Sequence, residues 1–433
     1  MVKRFVLGLL ALSLLFGVAQ AQTTIRFSGG ASGPGLETER QLAQMYMEQN
    51  PDVTVEVLPG PDSSDERFSL YLQLFEAQSS NLDVLQLDII WPGQLAQHLV
   101  DLNQYGDIQS STGEFFPSIL EANTVDGKLT AIPWFTDAGI LYYRTDLLEE
   151  YGFDGPPETW TELEEMASTI QEGERQENQD FSAFVWQGQS YEGLTCDALE
   201  WINSAGGGQI ISPEQVITVF NPNAVEIISR AAEWVGSISP TGVTGFAEED
   251  ARNFFQAGNA AFMRNWPYAY SIMNADDSPI AGNFDVVPLP HTEGNSSAAA
   301  LGGWNLGVSR YSSNPEVAAD VAAFFASPEA QKLRAVEGSF IPTRPALFED
   351  QEVLEAQPFF GRLLDVFTNA VARPSAPTGQ QYNEVSRAFY TAVHNVLTGN
   401  EEAEVALEIL SLDLQDITGF EVGEPRTQTG SAQ

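Results

Sequence analysis

Cysteine is almost absent from this chain, since Cys196 is the only one among 433 residues. A single cysteine cannot form an intramolecular disulfide, so the hydrophobic core has to stabilise the fold. We expect Cys196 to be a small buried residue rather than a reactive thiol, because no histidine lies near it in sequence. Histidine is also scarce: His98, His291 and His394 are widely separated and form no ligand-spaced cluster. A metal-dependent enzyme is therefore a weak alternative, and we expect no metal and no cofactor.

Basic residues are the second shortage, with 19 Lys and Arg against 60 Asp and Glu and a formal net charge of −41. A surface of this charge repels nucleic acid and anionic lipid, so neither is expected as a partner. Salt screens such repulsion over about 8 Å at physiological ionic strength and about 3 Å at 1 M. We therefore hypothesise a saline, extracytoplasmic setting, with an acidic protein kept soluble by its charge as the alternative. Thermal unfolding that molar NaCl does not shift upward would exclude the saline hypothesis.

The chain opens with an apolar run over residues 5–19, which follows Lys3 and Arg4 and precedes the A-x-A pattern of residues 19–21. This pattern predicts a cleaved secretory signal peptide over residues 1–21, with an apolar run too short to span a bilayer comfortably. The residue after the cleavage site is Gln22 rather than a cysteine that could accept a lipid. We expect a soluble periplasmic or extracellular protein that starts at Gln22 and is not lipid-anchored.

The remaining 412 residues exceed the size at which single cores stop growing, so two lobes are expected. Strand patterns at 24–28, 53–58 and 83–88 alternate with helical patterns at 36–49 and 66–77. This βαβαβ order predicts an α/β fold with a mostly parallel sheet and helices on both faces.

Three charged residues follow successive predicted strands. Glu37 comes after the first strand and its Gly-rich loop, Arg67 opens the helix after the second, and Asp88 ends the third. Ligands in such sheets bind beyond the carboxyl ends of the strands, so topology predicts that all three share one rim. The loop at 29–35 matches neither G-x-G-x-x-G nor the P-loop. Taken singly, each residue could instead be a solvated or capping side chain.

The segment PWFTDAGILYYR at 133–144 is predicted to join the two halves. Its second part has the pattern of a buried strand, and its first part places Trp134, Phe135 and Asp137 just before that strand. A carboxylate and an indole at this position are suited to a hinge segment that also contacts the ligand. The alternative is a core strand with one surface aspartate.

Two aromatic loops are predicted further along, NWPYAY at 265–270 and LGGWNLG at 301–307, the second opening a strand at 305–308. The glycines beside Trp304 allow close approach of the backbone and leave the indole uncovered. Core packing is the alternative for Trp304 and for Trp266, because large aromatics are buried in most proteins.

These segments, together with LQLDIIWP at 85–92, YEGLTCD at 191–197 and FMRNWPY at 262–268, resemble one family. It is the family 1 extracellular solute-binding proteins of ATP-driven (ABC) sugar importers, and the resemblance is closest to its trehalose/maltose-binding group. The resemblance implies a class II, maltose-binding-protein-like fold with a ligand cleft between two lobes joined by hinge crossings. By analogy the N-terminal lobe holds residues 22–136 plus 305–341, and the C-terminal lobe holds 137–304 plus 342–433.

The resemblance also implies binding without turnover, as a monomer that delivers a sugar to membrane permease subunits. Several disaccharides remain open as the ligand: trehalose, maltose, sucrose or a related α-glucoside. The resemblance implies that hydrogen bonds to sugar hydroxyls come from Glu37, Arg67, Asp88 and Asp137, and that Gly302 offers a backbone contact. It implies that the sugar rings pack against Trp266, Tyr268 and Trp304. It also implies a sugar contact from Arg373, in the segment VARP.

A secreted glycoside hydrolase acting on α-glucosides is the main alternative, because carboxylates and tryptophans around a sugar also describe that class. Asp88 and Asp137 would then be the acid and the base or nucleophile. Release of glucose from a disaccharide distinguishes the two functions.

Overall fold

The computed structural model describes residues 22–31, 33–61 and 63–423. The predicted signal peptide lies outside these residues. Within the described part of the chain, no helix is both long enough and apolar enough to cross a membrane.

Strands and helices alternate along most of the chain. The strands are β1 (Thr23–Gly29), β2 (Val53–Pro59), β3 (Val84–Asp88), β4 (Thr124–Val125), β5 (Lys128–Leu129), β6 (Ile132–Ala138), β7 (Ile140–Arg144), β8 (Phe184–Val185), β9 (Val216–Ile217), β10 (Phe262–Asn265), β11 (Phe284–Val287), β12 (Leu301–Val308), β13 (Ile341–Pro342) and β14 (Glu421–Val422). The α-helices are α1 (Gly33–Gln49), α2 (Ser64–Glu76), α3 (Pro92–Leu95), α4 (Gly106–Ser111), α5 (Pro117–Ala122), α6 (Thr145–Glu150), α7 (Trp160–Glu174), α8 (Glu192–Ser204), α9 (Pro222–Trp234), α10 (Glu248–Gln256), α11 (Ala269–Met273), α12 (Pro315–Phe325), α13 (Pro328–Gly338), α14 (Gln351–Ala356), α15 (Phe359–Arg362), α16 (Leu364–Thr368), α17 (Ser375–Thr378), α18 (Tyr382–Leu397) and α19 (Ala403–Thr418).

Several helices start where side chains satisfy their first free amide groups. Thr159 accepts a hydrogen bond from the Glu162 amide at 3.2 Å, and the Glu162 carboxylate accepts one from the Thr159 amide at 3.0 Å. This capping box fixes the start of α7. Asn221 caps α9 through the Ala224 amide at 3.0 Å. Such caps are worth about 1 kcal/mol each, so they set helix boundaries that the packing then extends.

The first large sheet has six strands in the order β13-β6-β12-β3-β1-β2. β1 is parallel to both β2 and β3, whereas β12 is antiparallel to β3 and β6, and β13 is antiparallel to β6. The three strands on which the prediction of a mostly parallel sheet was based are parallel, but the complete sheet is mixed. The reason is that β12 comes from far along the chain and inserts between β3 and β6, in the opposite direction to β3.

The second large sheet has four strands in the order β11-β7-β10-β8. Because β6 belongs to the first sheet and β7 to the second, the chain crosses between the sheets at Gly139. This confirms that residues 133–144 join the two halves. The chain returns to the first sheet where β12 begins, at Leu301.

The expected lobe boundaries at 136/137 and 304/305 both fall inside strands of the six-stranded sheet. β6 and β12 pair continuously as far as Ala138 opposite Leu301. Residues 301–304, expected as a loop that leads into a strand at 305–308, therefore belong to the strand itself. The pairing is irregular between Trp304 and Asn305, and Gly303 has a φ of +122°, which favours glycine. Local irregularity explains why the segment resembled a loop.

Each sheet has its own core. The N-terminal lobe packs Phe27 and Trp134 of its strands against Phe325 of α12. The C-terminal lobe has a larger cluster that includes Trp160, Trp201 and other aromatics, and α18 packs there against α8, α9 and α19. Cys196 is buried in this second core, as expected. The second cluster also includes Ala138 of β6 and Ile341 of β13, so it reaches the edge of the first sheet at the junction of the lobes.

A candidate ligand-binding site between the lobes

The pairing of strands gathers four of the predicted site residues at one end of the six-stranded sheet. Trp304 of β12 lies opposite Asp88 of β3, and Gly302 lies opposite Asp137 of β6. The four residues therefore occupy neighbouring positions on three adjacent strands, next to the crossing at Gly139. This is the end from which the chain passes to the second lobe.

Asp137 is a buried carboxylate with free hydrogen-bonding capacity. Its side chain is almost fully buried, and its Oδ1 has no hydrogen-bond partner among the described residues. Burial raises the pKa of this carboxyl well above its usual value, and the positive charges of Arg334 and Arg264 only partly oppose that effect. An unpartnered acceptor in such a place is suited to a ligand donor.

Gly302 lets an aromatic ring approach Asp137. A Cβ at position 302 would lie 2.9 Å from the Trp266 ring and 3.1 Å from the Asp137 Cβ. Only glycine fits without displacing one of them. The absence of a side chain at Gly302 therefore lets the backbone of β12, Asp137 of the first lobe and the Trp266 indole of the second lobe lie close together.

Arg67 is buried in α2 and is held by neutral oxygens. Its Nη1 donates to the Gly29 carbonyl at 2.8 Å and to Gln86 Oε1 at 3.1 Å, and its Nη2 donates to the Pro61 carbonyl at 2.9 Å. Its Nε has no partner among the described residues. The guanidinium lies 5.2 Å from the centre of the Trp304 ring, within the range of a cation–π contact.

Trp304 is partly buried, in a frame of aromatic and cationic groups. The edge-to-face contact with Trp91 has a centroid distance of 5.4 Å, and Arg67 covers part of one face. These neighbours fix the Trp304 ring without enclosing it.

Trp134, in contrast, is fully buried. It was expected to offer its indole at the hinge, and that expectation is wrong, because its Nε1 donates to the Phe325 carbonyl inside the core at 3.1 Å.

Arg373 joins the two lobes through two carboxylates. Its Nη2 donates to Asp88 Oδ1 at 2.8 Å and its Nη1 donates to Glu192 Oε1 at 2.7 Å, while its Nε has no partner in the described chain. Asp88 ends β3 of the first sheet, and Glu192 begins α8 in the second lobe. The predicted sugar-contacting arginine is thus also a bridge between lobes.

Glu192 is a site residue that the sequence reasoning did not single out. Its carboxylate accepts hydrogen bonds from Arg373, from Ser386 Oγ at 2.6 Å and from the Tyr382 hydroxyl, and its amide donates to Asp65 Oδ2 at 3.3 Å. The segment YEGLTCD was noticed as a motif. No periodicity could have revealed a partner at Arg373, 181 residues further along.

Trp266 is partly exposed and has one face covered. The Arg264 guanidinium lies 4.0 Å from the ring centre, and the indole Nε1 lies 3.4 Å from Glu248 Oε1. Arg264 is itself held by Glu200 and Asp197. The ring is therefore fixed on one face and at its polar edge, and the opposite face is the one left for a ligand.

Tyr268 follows Trp266 and crosses the junction. Its hydroxyl donates to Glu249 Oε1 at 2.6 Å, and its ring packs against the core cluster of the first lobe. Burial, together with the negative charges of Glu249 and Glu248, raises the pKa of this phenol well above its usual value. Tyr268 thus remains a neutral hydrogen-bond donor at physiological pH.

Glu37 is the predicted residue that the structure does not join to this group. Its side chain is exposed on α1, whereas Glu39 is buried, accepts the Gly30 amide at 2.8 Å and lies 3.5 Å from Arg334. Residues two apart on a helix point in nearly opposite directions, so only one of the two carboxylates can face the protein interior. The exposed position of Glu37 agrees with the alternative that it is a solvated side chain, rather than with a place beside Arg67 and Asp88 at the rim of the sheet.

Comparison with known proteins assigns the chain to a family. A family model described as "Bacterial extracellular solute-binding protein" matches residues 30–332. A "Probable ABC transporter-binding protein" of Deinococcus radiodurans is 48% identical over 419 residues, which cover 96% of this chain and 99% of that protein.

Solved structures show the same fold. The structure titled "Maltose bound T. maritima MalE3" has a TM-score of 0.86 and 42% identity, and covers 91% of this chain and 100% of that one. A solute-binding protein of Thermotoga lettingae, solved with α-D-tagatose, has a TM-score of 0.81 at 23% identity and covers 92% and 100% of the two chains. The two-lobed, maltose-binding-protein-like α/β fold is thus confirmed. These relatives are binding proteins rather than enzymes, which removes the hydrolase alternative, and the chain belongs to the bacterial extracellular solute-binding proteins.

Proposed function

We propose that this protein captures a disaccharide between its lobes and delivers it to the permease of an ABC importer. The candidates are trehalose, maltose, sucrose and related α-glucosides, and the neighbour solved with maltose, at 42% identity, favours maltose among them. In this proposal the protein is a monomer, exported by a cleaved signal peptide over residues 1–21 and not lipid-anchored.

The observation that carries the proposal is a set of unfilled hydrogen bonds. Three of the predicted ligand residues each retain one buried polar atom without a partner among the described residues: Arg67 Nε, Arg373 Nε and Asp137 Oδ1. An unpaired buried polar group costs about 1–3 kcal/mol. A sugar hydroxyl both donates and accepts, so a polyol can pair with two donors and one acceptor of this kind.

The aromatic residues supply the apolar half of the site. Trp304 from the first lobe and Trp266 and Tyr268 from the second are all partly exposed at the junction. Aromatic faces cover the C–H faces of a pyranose, while the charged groups fix its hydroxyls. A micromolar binder needs only about 8 kcal/mol net, so a few charged hydrogen bonds at about 1.5–3 kcal/mol each suffice after the ordering cost.

Calorimetric titration of residues 22–433 tests this function directly. The panel is maltose, trehalose, sucrose, palatinose, glucose and an oligosaccharide, in high salt, with analysis of the sugar afterwards. We expect tight binding of at least one α-glucoside, returned uncleaved. Absence of binding across the panel would overturn the proposed ligand class.

A further inference from the structure

The buried pair Arg264 and Glu200 lies beneath the Trp266 ring and beside the chain crossings at Gly139 and Ala300. Both side chains are about 1% exposed. Arg264 Nε donates to Glu200 Oε2 at 2.8 Å, and Arg264 Nη2 donates to Glu200 Oε1 at 2.5 Å, so the pair is bidentate. A fork of this kind fixes the plane of the guanidinium as well as its position.

Two further contacts hold the guanidinium in place. Asp197 Oδ1 lies 3.0 Å from Arg264 Nε, and Gln187 Oε1 accepts from Arg264 Nη1 at 3.0 Å. The side-chain Nε2 of Gln187 donates to the Arg264 carbonyl at 3.1 Å, and the backbone N–H of Gln187 donates to Asp197 Oδ2 at 2.9 Å. The guanidinium is therefore fixed from three sides, with one face toward the Trp266 ring at 4.0 Å.

The same pair touches the two crossings between the sheets. Glu200 Oε1 accepts a hydrogen bond from the Ala300 amide at 3.0 Å, one residue before β12 begins. At the other crossing, a Cβ on Gly139 would lie 2.0 Å from Glu200 Oε1 and 2.6 Å from Arg264 Nη2. The pair thus fills the space between the first crossing and the second.

We propose that Arg264 is a positioning residue for ligand binding, which fixes the plane of Trp266 and, through Glu200, ties that ring to the chain crossings at Gly139 and Ala300. The inference rests on the proposed function, because it assigns Trp266 to the ligand. Its consequence is that the indole keeps a set position relative to the hinge, so the ring meets the sugar in the same orientation each time the lobes close.

The central test is a double-mutant cycle in maltose affinity. Arg264→Lys keeps the positive charge but loses the planar fork, and we expect the Kd to rise about tenfold. On a Trp266→Leu background, where no indole remains to be positioned, the same change should raise the Kd less than about threefold. Arg230→Lys is the matched control, because Arg230 makes a comparable fork with Glu164 at 2.7 and 2.9 Å away from the site. It should leave the affinity unchanged.

A second variant addresses the crossings and guards against misfolding of Arg264→Lys. Gly139→Ala introduces the methyl group that the pair excludes, and we expect weaker maltose binding that again depends on Trp266. Gly155→Ala is its control, since a Cβ at Gly155 meets nothing within 4 Å. Equal losses with and without Trp266 would overturn the inference while leaving sugar binding intact. Failure of the wild-type protein to bind any sugar would instead overturn the proposed function.

Discussion

The two walls of the junction use their charged residues in opposite ways. In the C-terminal wall the carboxylates are paired: Glu200 binds Arg264, Glu248 accepts from Tyr191 at 2.5 Å, and Glu249 accepts from Tyr268 at 2.6 Å. In the N-terminal wall Asp137 keeps a free oxygen and Arg67 a free Nε among the described residues. Arg373 is the exception in the second lobe, because its Nε also has no partner among the described residues. Apart from Arg373, the second lobe uses charge to fix rings, whereas the first lobe keeps hydrogen-bonding capacity for the ligand.

The arginines beneath the two tryptophans show the same contrast. Arg264 lies 4.0 Å from the Trp266 ring and is held by carboxylates, whereas Arg67 lies 5.2 Å from the Trp304 ring and is held by carbonyl and amide oxygens. Charged pairing fixes a side chain more firmly than neutral pairing does. We therefore expect the ring of Trp266 to be the more rigid, and Arg67 to be the arginine more able to turn toward a ligand.

The largest expected effect comes from removing a ring of the N-terminal wall. Trp304→Ala should cost about 2–4 kcal/mol of sugar binding, as buried aromatic anchors do. Isothermal titration with maltose measures it, and thermal unfolding checks that the variant folds. Unchanged affinity would remove Trp304 from the site and break the comparison of two aromatic walls.

A smaller effect is expected at Asp137, where one substitution should weaken sugar binding but raise the stability of the folded protein relative to wild type. Asp137→Asn should weaken sugar binding by about 1–3 kcal/mol, because an amide NH2 replaces one of the two carboxyl oxygens and cannot accept a hydrogen bond from a sugar hydroxyl. Burial raises the pKa of Asp137 in the folded protein. The wild type therefore loses stability as the pH rises above about 4, the usual aspartate value, toward the raised folded-state pKa.

The asparagine variant lacks this titration. Its stability relative to wild type should consequently grow between pH 4 and pH 7, as measured by urea unfolding at several pH values. A constant difference across that range would show that the charge of Asp137 is not suppressed by burial.

The smallest expected effect concerns a paired carboxylate of the C-terminal wall. Glu249→Gln retains an acceptor for the Tyr268 hydroxyl, so the change in maltose binding should stay below about 1 kcal/mol. Tyr268→Phe removes the same hydrogen bond from the other side and serves as the companion variant. A loss for Glu249→Gln as large as that for Asp137→Asn would mean that Glu249 contacts the ligand itself, and the contrast between the walls would fail.

The fold and the joining segment were predictable because local patterns determine them. The alternation of strands and helices predicted an α/β protein, and the segment at 133–144 does carry the chain from one sheet to the other. The antiparallel insertion of β12 was not predictable, since register between strands more than 160 residues apart leaves no local signal. The bulge beside Trp304 also made part of that strand resemble a loop.

The candidate site was likewise predictable only where strand topology determines it. Asp88, Asp137 and Trp304 could be placed because each lies on a strand whose neighbours the topology brings together. Glu37 was selected for its place after the first strand, whereas the rotation of α1 that buries Glu39 and exposes Glu37 depends on how the helix packs. The role of Glu192 and the bridge through Arg373 depend on long-range contacts that no spacing reveals.

A crystal structure of the mature protein with maltose bound would test the division between the two walls most directly. We expect sugar hydroxyls about 2.7–3.2 Å from Asp137 Oδ1 and Arg67 Nε. We also expect pyranose faces against Trp304 and against the face of Trp266 that Arg264 does not cover. A bound sugar that leaves both polar atoms unpaired, or that displaces Arg264 from beneath Trp266, would contradict the division between a hydrogen-bonding wall and a fixed aromatic wall.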